Sequence, residues 1–254
     1  MKVVGNYLSD LEIKEVVSSF KGKKKYNNLI EELKQFEGLD IDQYKFKVVQ
    51  GLKFDVQYGI DVISVTSVQL KVTDSVEIMY VSRYRNANKK TMDEFFHVTY
   101  SYSEEDNHVK RIHLYAGNDR YISTSNSTVE KEKIEQEEKF DQEDEIPIDE
   151  NYYPGMLLDQ VSTRGIFDFC LPGGYKYCGK SCGGKKACNA NSPNGINGLD
   201  NCCKTHDCCY HQRGVSWPNP ICDKIVCDCA LKAPFKKNTP VVTAVMCYTN
   251  IPIV

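Results

Sequence analysis

Apolar positions Leu11, Ile13, Val16, Val17 and Phe20 recur at helical spacing, and Ser9 with Glu12 ahead of them has the form of a capping box, so the chain opens with a helix. After the basic turn Lys21-Gly22-Lys23-Lys24-Lys25, a second helix is predicted over Tyr26 to Phe36, which makes the first 40 residues helical. The period then changes. Tyr44, Phe46 and Val48, then Phe54, Val56 and Tyr58, then Val68, Leu70 and Val72, then Phe96, Val98, Tyr100 and Tyr102 largely alternate with polar residues. Val109 to Tyr115 and Arg120 to Ser125 extend the series. Alternation with β-branched and aromatic residues marks half-buried strands. An antiparallel sheet with helices on one face is expected. His97, His108 and His113 are scattered through it and read as surface or sheet-face positions, with no catalytic constellation among them.

Cysteine usage divides the chain. All twelve cysteines fall between Cys170 and Cys247. From Gly155 onward there are 11 Lys and Arg against 6 Asp and Glu, a net +5 that leaves −8 for the preceding residues of a chain whose total is −3. Two domains follow: an α+β domain over 1–125, an acidic linker over 126–153 and a small, disulfide-rich, all-α domain over 154–254. The linker holds 11 acidic and 3 basic residues from Glu130 to Glu150 and reads as a solvated spacer, or as a charge that docks on the basic half. Asn126-Ser127-Thr128 fits a glycosylation sequon, which matters only in a eukaryotic secretory pathway. An even cysteine count in a small basic half reads as a disulfide framework in an oxidising compartment, hence a secreted protein. The apolar run in Met1–Asp10 is too short for a signal peptide, so export implies a leader removed from this chain or another route. No stretch approaches the roughly 20 apolar residues of a membrane-spanning helix.

The cysteine spacing predicts two packed helices. Cys202 and Cys209, on a helix over Gly198–Gly214, lie seven apart on one face, separated by about 10.5 Å. Cys222 and Cys229, on a helix over Cys222–Lys232, repeat that spacing. In one antiparallel register Cys202 meets Cys229 while Cys209 meets Cys222. His206 and Tyr210 then share the facing surface with Asp223, so imidazole, hydroxyl and carboxylate converge. Asp207 is turned about 100° away, alongside Cys203. The best-placed partner for Cys203 is Cys178, in the glycine-rich stretch Tyr175 to Gly184. That bridge draws the loop over Asp207, where backbone carbonyls could join the carboxylate around calcium.

Cys202 to Tyr210 reads as two cysteines, two residues, His-Asp, one residue, Cys-Tyr. With Tyr177-Cys178-Gly179 upstream and Cys222-Asp223 with Cys229 downstream, about 75 residues resemble secreted phospholipase A₂ in three separately spaced motifs. The resemblance implies calcium-dependent hydrolysis of the sn-2 ester of a glycerophospholipid. His206 would activate water, Asp223 would hold the imidazole, Tyr210 would hold Asp223, and the Gly179 N–H would face the oxyanion. Calcium would bind Asp207 and the carbonyls of Tyr177, Gly179 and Ser181, with Gly183 as the alternative third carbonyl. The loop departs from the family pattern where Ser181-Cys182 precede Gly183-Gly184. An insertion, Lys185–Asn197, follows, and the Cys182-to-Cys188 spacing is similar to that of plant enzymes. The short Tyr210–Cys222 connection implies a compact member without the usual hairpin. Cys208 is expected to reach Cys247, while Cys170, Cys182, Cys188 and Cys227 remain unassigned.

The implied partner is a phospholipid membrane surface, not nucleic acid. Lys176, Lys180, Lys185, Lys186, Lys204, Lys236 and Lys237 could face anionic lipid, and Trp217 and Phe235 could insert. Ordinary solubility and packing are the competing explanations. Two other readings stand beside the hydrolase. One is a zinc site on Cys203, His206 and Cys209. The other is a catalytically silent binding module or toxin on the same scaffold. The N-terminal half could be a propeptide that covers the lipid-binding face, a binding or delivery domain, or an immunity-type partner; the −8/+5 charge split favours an inhibitory or delivery segment.

Overall fold

The structure, a computed structural model, describes residues 2–36, 41, 45–58, 61–85, 90–103, 107–117, 122–132, 146–161, 170–179, 182–216, 219–233 and 238–247. Seven strands form one antiparallel meander in chain order: β1 (Lys2–Tyr7), β2 (Lys47–Tyr58), β3 (Asp61–Lys71), β4 (Val76–Arg85), β5 (Lys90–Ser103), β6 (His108–Ala116) and β7 (Ser123–Glu130). Between β1 and β2 come α1 (Asp10–Ser19) and α2 (Lys24–Lys34). The C-terminal half adds α3 (Met156–Val161), α4 (Gly198–Arg213), α5 (Pro220–Lys232) and α6 (Thr239–Met246).

The capping box forms as expected, with Ser9 accepting from Glu12 N–H and Glu12 reaching back to the Ser9 N–H. The wholly helical N-terminus does not, because Lys2–Tyr7 pairs with β2. Gly5 makes that approach possible, since a Cβ there would fall 2.5 Å from the Lys53 carbonyl oxygen. The strand β4 also escapes the alternation rule. Its run Ile78-Met79-Tyr80-Val81 is buried on both faces, so the polar half of the pattern is missing. Val48 and the run 54–58 belong to one strand, β2, which carries a register shift between Val48 and Gln50; Phe46 precedes it and Tyr44 lies outside the described residues. At the other end β7 extends to Glu130, five residues into the expected linker.

Both sheet faces are apolar, and each has its own cover. Val68, Leu70, Ile78, Tyr80, Phe96, Val98, Tyr100 and Leu114 pack under the first two helices, against Phe20, Tyr26, Leu29 and Leu33. The opposite face carries Leu52, Phe54, Val56, Ile63, Val65, Met79, Val81 and Phe95. It shares one hydrophobic cluster with Val226, Ala230 and Leu231 of α5 and with Val241, Val242 and Val245 of α6. Every residue of α6 is buried, as an all-round apolar helix must be. Arg83, 1% exposed, ties the halves further: its guanidinium pairs with Asp93 and donates to the Ala244 carbonyl at 3.2 Å. The connecting segment is anchored by Asp55. This buried carboxylate accepts from Ser64 Oγ, Tyr152 OH and the N–H groups of Gly155 and Leu157.

His97 and His113 are sheet-face residues, buried rather than at the surface, with rings stacked 5.5 Å apart at 4°. Burial drives the His97 pKa far down, helped by the charge of His113. Burial, then the charges of Arg111 and Lys232, pushes His113 down to about 4. The unfolded chain therefore takes up protons below its ordinary value of about 6.5, while the folded protein does not. Stability is complete above that pH and falls between pH 6.5 and about 4, His113 alone accounting for about 3 kcal/mol. Urea midpoints at pH 7 and pH 4.5 measure the drop. In His113→Gln the decline should be visibly shallower.

Candidate functional site

The site is built on α4 and α5. Asn197 caps α4 by accepting from the Asp200 N–H, and Gly214 closes it in a left-handed conformation at φ 62°. Asn219 caps α5 through the Ile221 and Cys222 N–H groups, with Pro220 in the first turn. Cys202–Cys229 and Cys209–Cys222 staple the two helices at Cα separations of 5.6 Å each, the register expected from the seven-residue spacing. Cys178–Cys203 forms as well. The expected Cys208–Cys247 bridge does not. Cys208 pairs with Cys188, because the 3₁₀ turn Gly184–Cys188 folds back onto α4, and Cys247 pairs with Cys227 as α6 returns to α5. Cys170–Cys182 completes six bridges. The zinc reading falls with them, since Cys203 and Cys209 are both in disulfides and carry no thiolate.

His206, Asp223 and Tyr210 do converge. His206 Nε2 lies 3.0 Å from Asp223 Oδ1, and the Tyr210 hydroxyl donates to the same oxygen at 2.6 Å. Tyr210 is itself held by the Asn219 N–H, 2.8 Å from its hydroxyl oxygen, and its ring meets the imidazole edge-on at 4.8 Å. Asp223 is fully buried, and its Oδ2 has no hydrogen-bond partner among the described residues. With an ionised Asp223 as partner, Nε2 must carry the proton, which leaves Nδ1 as the acceptor. Burial of His206 opposes its charging. The carboxylates of Asp207 and Asp223 outweigh that and hold its pKa above the ordinary imidazole value. Asp207 Oδ1 is 3.8 Å from Nδ1, too far for a hydrogen bond, so it acts there through charge.

The glycine-rich stretch closes over Asp207. Gly183, at φ 65°, has room for no side chain: a Cβ would fall 2.3 Å from the Tyr177 ring and 3.0 Å from Asp207 Oδ2. Gly179, at φ 135°, likewise uses a backbone conformation open to glycine. Its carbonyl accepts from the Cys182 N–H at 3.3 Å, and its own N–H has no acceptor among the described residues. Ser181 lies outside the described residues. Of the candidate lipid-facing set, Lys176 and Lys186 are exposed. Lys204 is instead occupied within the fold, donating to the carbonyls of Ser192 and Pro193 at 3.1 Å each. Lys180, Lys236, Lys237, Trp217, Phe235 and the Lys185 side chain are outside the described residues.

Sequence reasoning passed over Asp200. It is fully buried and accepts from four backbone N–H groups: Lys176, Tyr177 and Cys178 in the loop, and Ile196 beyond the insertion. The pattern Asn197-x-x-Asp200 at a helix start was the available signal, but it indicates a cap and not a loop anchor. Among the described residues, no three His, Cys, Asp or Glu side chains group as a metal site, so a cation here would need backbone oxygens. No family model, curated protein or solved structure matches this chain.

Proposed function

We propose that this protein hydrolyses the sn-2 ester of glycerophospholipids with calcium as cofactor, in an extracellular or other oxidising setting, through a phospholipase A₂-like helix pair. The observation that carries the reading is the oriented imidazole: His206 Nε2 bound to a buried Asp223 that Tyr210 also holds, with Nδ1 left open on the side of Asp207. A base oriented by a buried acid is the arrangement that water activation requires.

Calcium fits the donors. It takes oxygen ligands, and the Asp207 carboxylate meets loop backbone so closely at Gly183 that a Cβ would contact it. Asp207 and the carbonyls of Tyr177 and Gly179, with Ser181 or Gly183, would hold the ion. When bound it supplies Lewis acidity at the ester carbonyl and charge for the lipid phosphate. The chain's own groups do the rest. His206 Nδ1 accepts a proton as the water oxygen bonds to the ester carbon, and Asp223 stabilises the imidazolium. The Gly179 N–H donates to the oxyanion. As the acyl C–O bond breaks, Nδ1 returns its proton to the departing glycerol oxygen, yielding a fatty acid and a lysophospholipid.

The test is release of fatty acid from phospholipid vesicles labelled separately in the sn-1 and sn-2 chains. Release of the sn-2 label in calcium and none after chelation is expected. No release under either condition would overturn the hydrolase reading in favour of the silent module. Release from sn-1 would overturn the choice of bond.

A further inference from the structure

We infer that Asp200 is a positioning residue that aims the backbone of the 176–178 loop for cation binding, an inference that rests on the hydrolase reading above. Three consecutive N–H groups, those of Lys176, Tyr177 and Cys178, converge on its carboxylate, Tyr177 N at 2.9 Å and Cys178 N at 3.2 Å from Oδ1 and Lys176 N at 3.1 Å from Oδ2. In a trans peptide the carbonyl points opposite to the N–H of the same unit. Drawing the Cys178 N–H toward Asp200 therefore turns the Tyr177 carbonyl away from it. That carbonyl is one of the proposed ligands.

Covalent tethering does not do this job. Cys178–Cys203 holds the loop against α4 at a Cα separation of 5.0 Å, but one bridge leaves the peptide planes on either side free to rotate. Asp200 fixes three of them at once. The same carboxylate accepts the Ile196 N–H at 3.0 Å, so the end of the 185–197 insertion is locked to the same point. Gly195 allows that closeness: a Cβ there would fall 2.8 Å from the Asp200 Cβ. Among the described residues no lysine or arginine forms an ion pair with Asp200. Its charge is met by backbone dipoles, those of the loop and of the first turn of α4, in which it sits.

These bonds are all between groups of the protein itself, so the arrangement is expected before any ion arrives, and two measurements on the full chain test that. In the calcium-free protein the amides of 176–178 should exchange with solvent at least a hundredfold more slowly than free loop amides. In Asp200→Asn, whose amide repels at least one of the N–H groups, calcium affinity by titration calorimetry should fall tenfold or more. Fatty-acid release should recover to within a few-fold at saturating calcium, because Asp200 touches neither water nor substrate. A merely destabilised protein would not recover in this way. Free-loop exchange rates, or unchanged calcium affinity in the variant, overturn the inference and leave the hydrolase reading standing. If the variant does not fold, the exchange rates of the unaltered protein decide alone. Failure of the unaltered protein to take up calcium overturns both, and is seen before any substitution is made.

Discussion

If His206 is the base of the proposed hydrolysis, His206→Gln is expected to lower calcium-dependent release of fatty acid from phospholipid vesicles by about a thousandfold, the scale of a lost general base. Glutamine is close in size and can still donate an N–H to Asp223, so the change is confined to the proton-accepting nitrogen. The surroundings favour a clean result. Asp223 keeps the Tyr210 hydroxyl at 2.6 Å, and Cys202–Cys229 and Cys209–Cys222 hold the helices in register on either side. The assay is vesicle hydrolysis, with thermal unfolding in parallel. A variant that keeps more than a tenth of the activity at unchanged stability would mean that His206 is not the base.

The second large effect concerns the N-terminal half. Removing residues 1–150 strips the cover from Val226 and Leu231 on α5 and from Val241, Val242 and Val245 on α6. Each such side chain is worth roughly 1.5–3 kcal/mol when buried, so their sum rivals the 5–15 kcal/mol margin of an ordinary domain. The Arg83 contact to the Ala244 carbonyl goes with them. The six disulfides keep the shortened chain cross-linked, and it is expected to associate through the bared helix faces. Size-exclusion chromatography and binding of a hydrophobic dye measure this. Masking by charge makes the opposite forecast: a soluble, monomeric fragment whose hydrolysis at low salt exceeds that of the intact protein. Salt dependence separates the two, since an apolar contact is not screened over the roughly 10 Å Debye length of 0.1 M salt.

What could be read from the chain divides along physical lines. The helix pair was legible because two seven-residue cysteine spacings admit one antiparallel register, and that register brings His206 to Asp223 without further information. Cys188 and Cys227 were not, since their partners depend on how the 185–197 insertion and the C-terminal tail fold back, and neither is a local property. The strands that alternate cleanly, such as 96–102, were legible. β1 was hidden because it is an edge strand whose pairing with β2 lies some fifty residues away, Gly5 against Phe54. β4 was hidden because burial on both faces erases the alternation. The loop-anchoring role of Asp200 could not be read beyond its cap-like position, because its partners are backbone N–H groups, which every residue but proline possesses.

That α6 follows every other described element in chain order governs how the molecule comes into being. The seven strands are complete at Glu130, whereas the helix that seals their second face ends at Met246. At translation speeds of about 5–20 residues per second, an oily plane of the nascent polypeptide stays uncovered for roughly ten seconds. Cys247, last of the twelve thiols to emerge, can find Cys227 only after that interval. Any chaperone or oxidoreductase that attends biosynthesis of this protein has its moment there, and ribosomal stalling before residue 239 would leave a chain already holding His206, Asp207 and Asp223 with no finished scaffold beneath them.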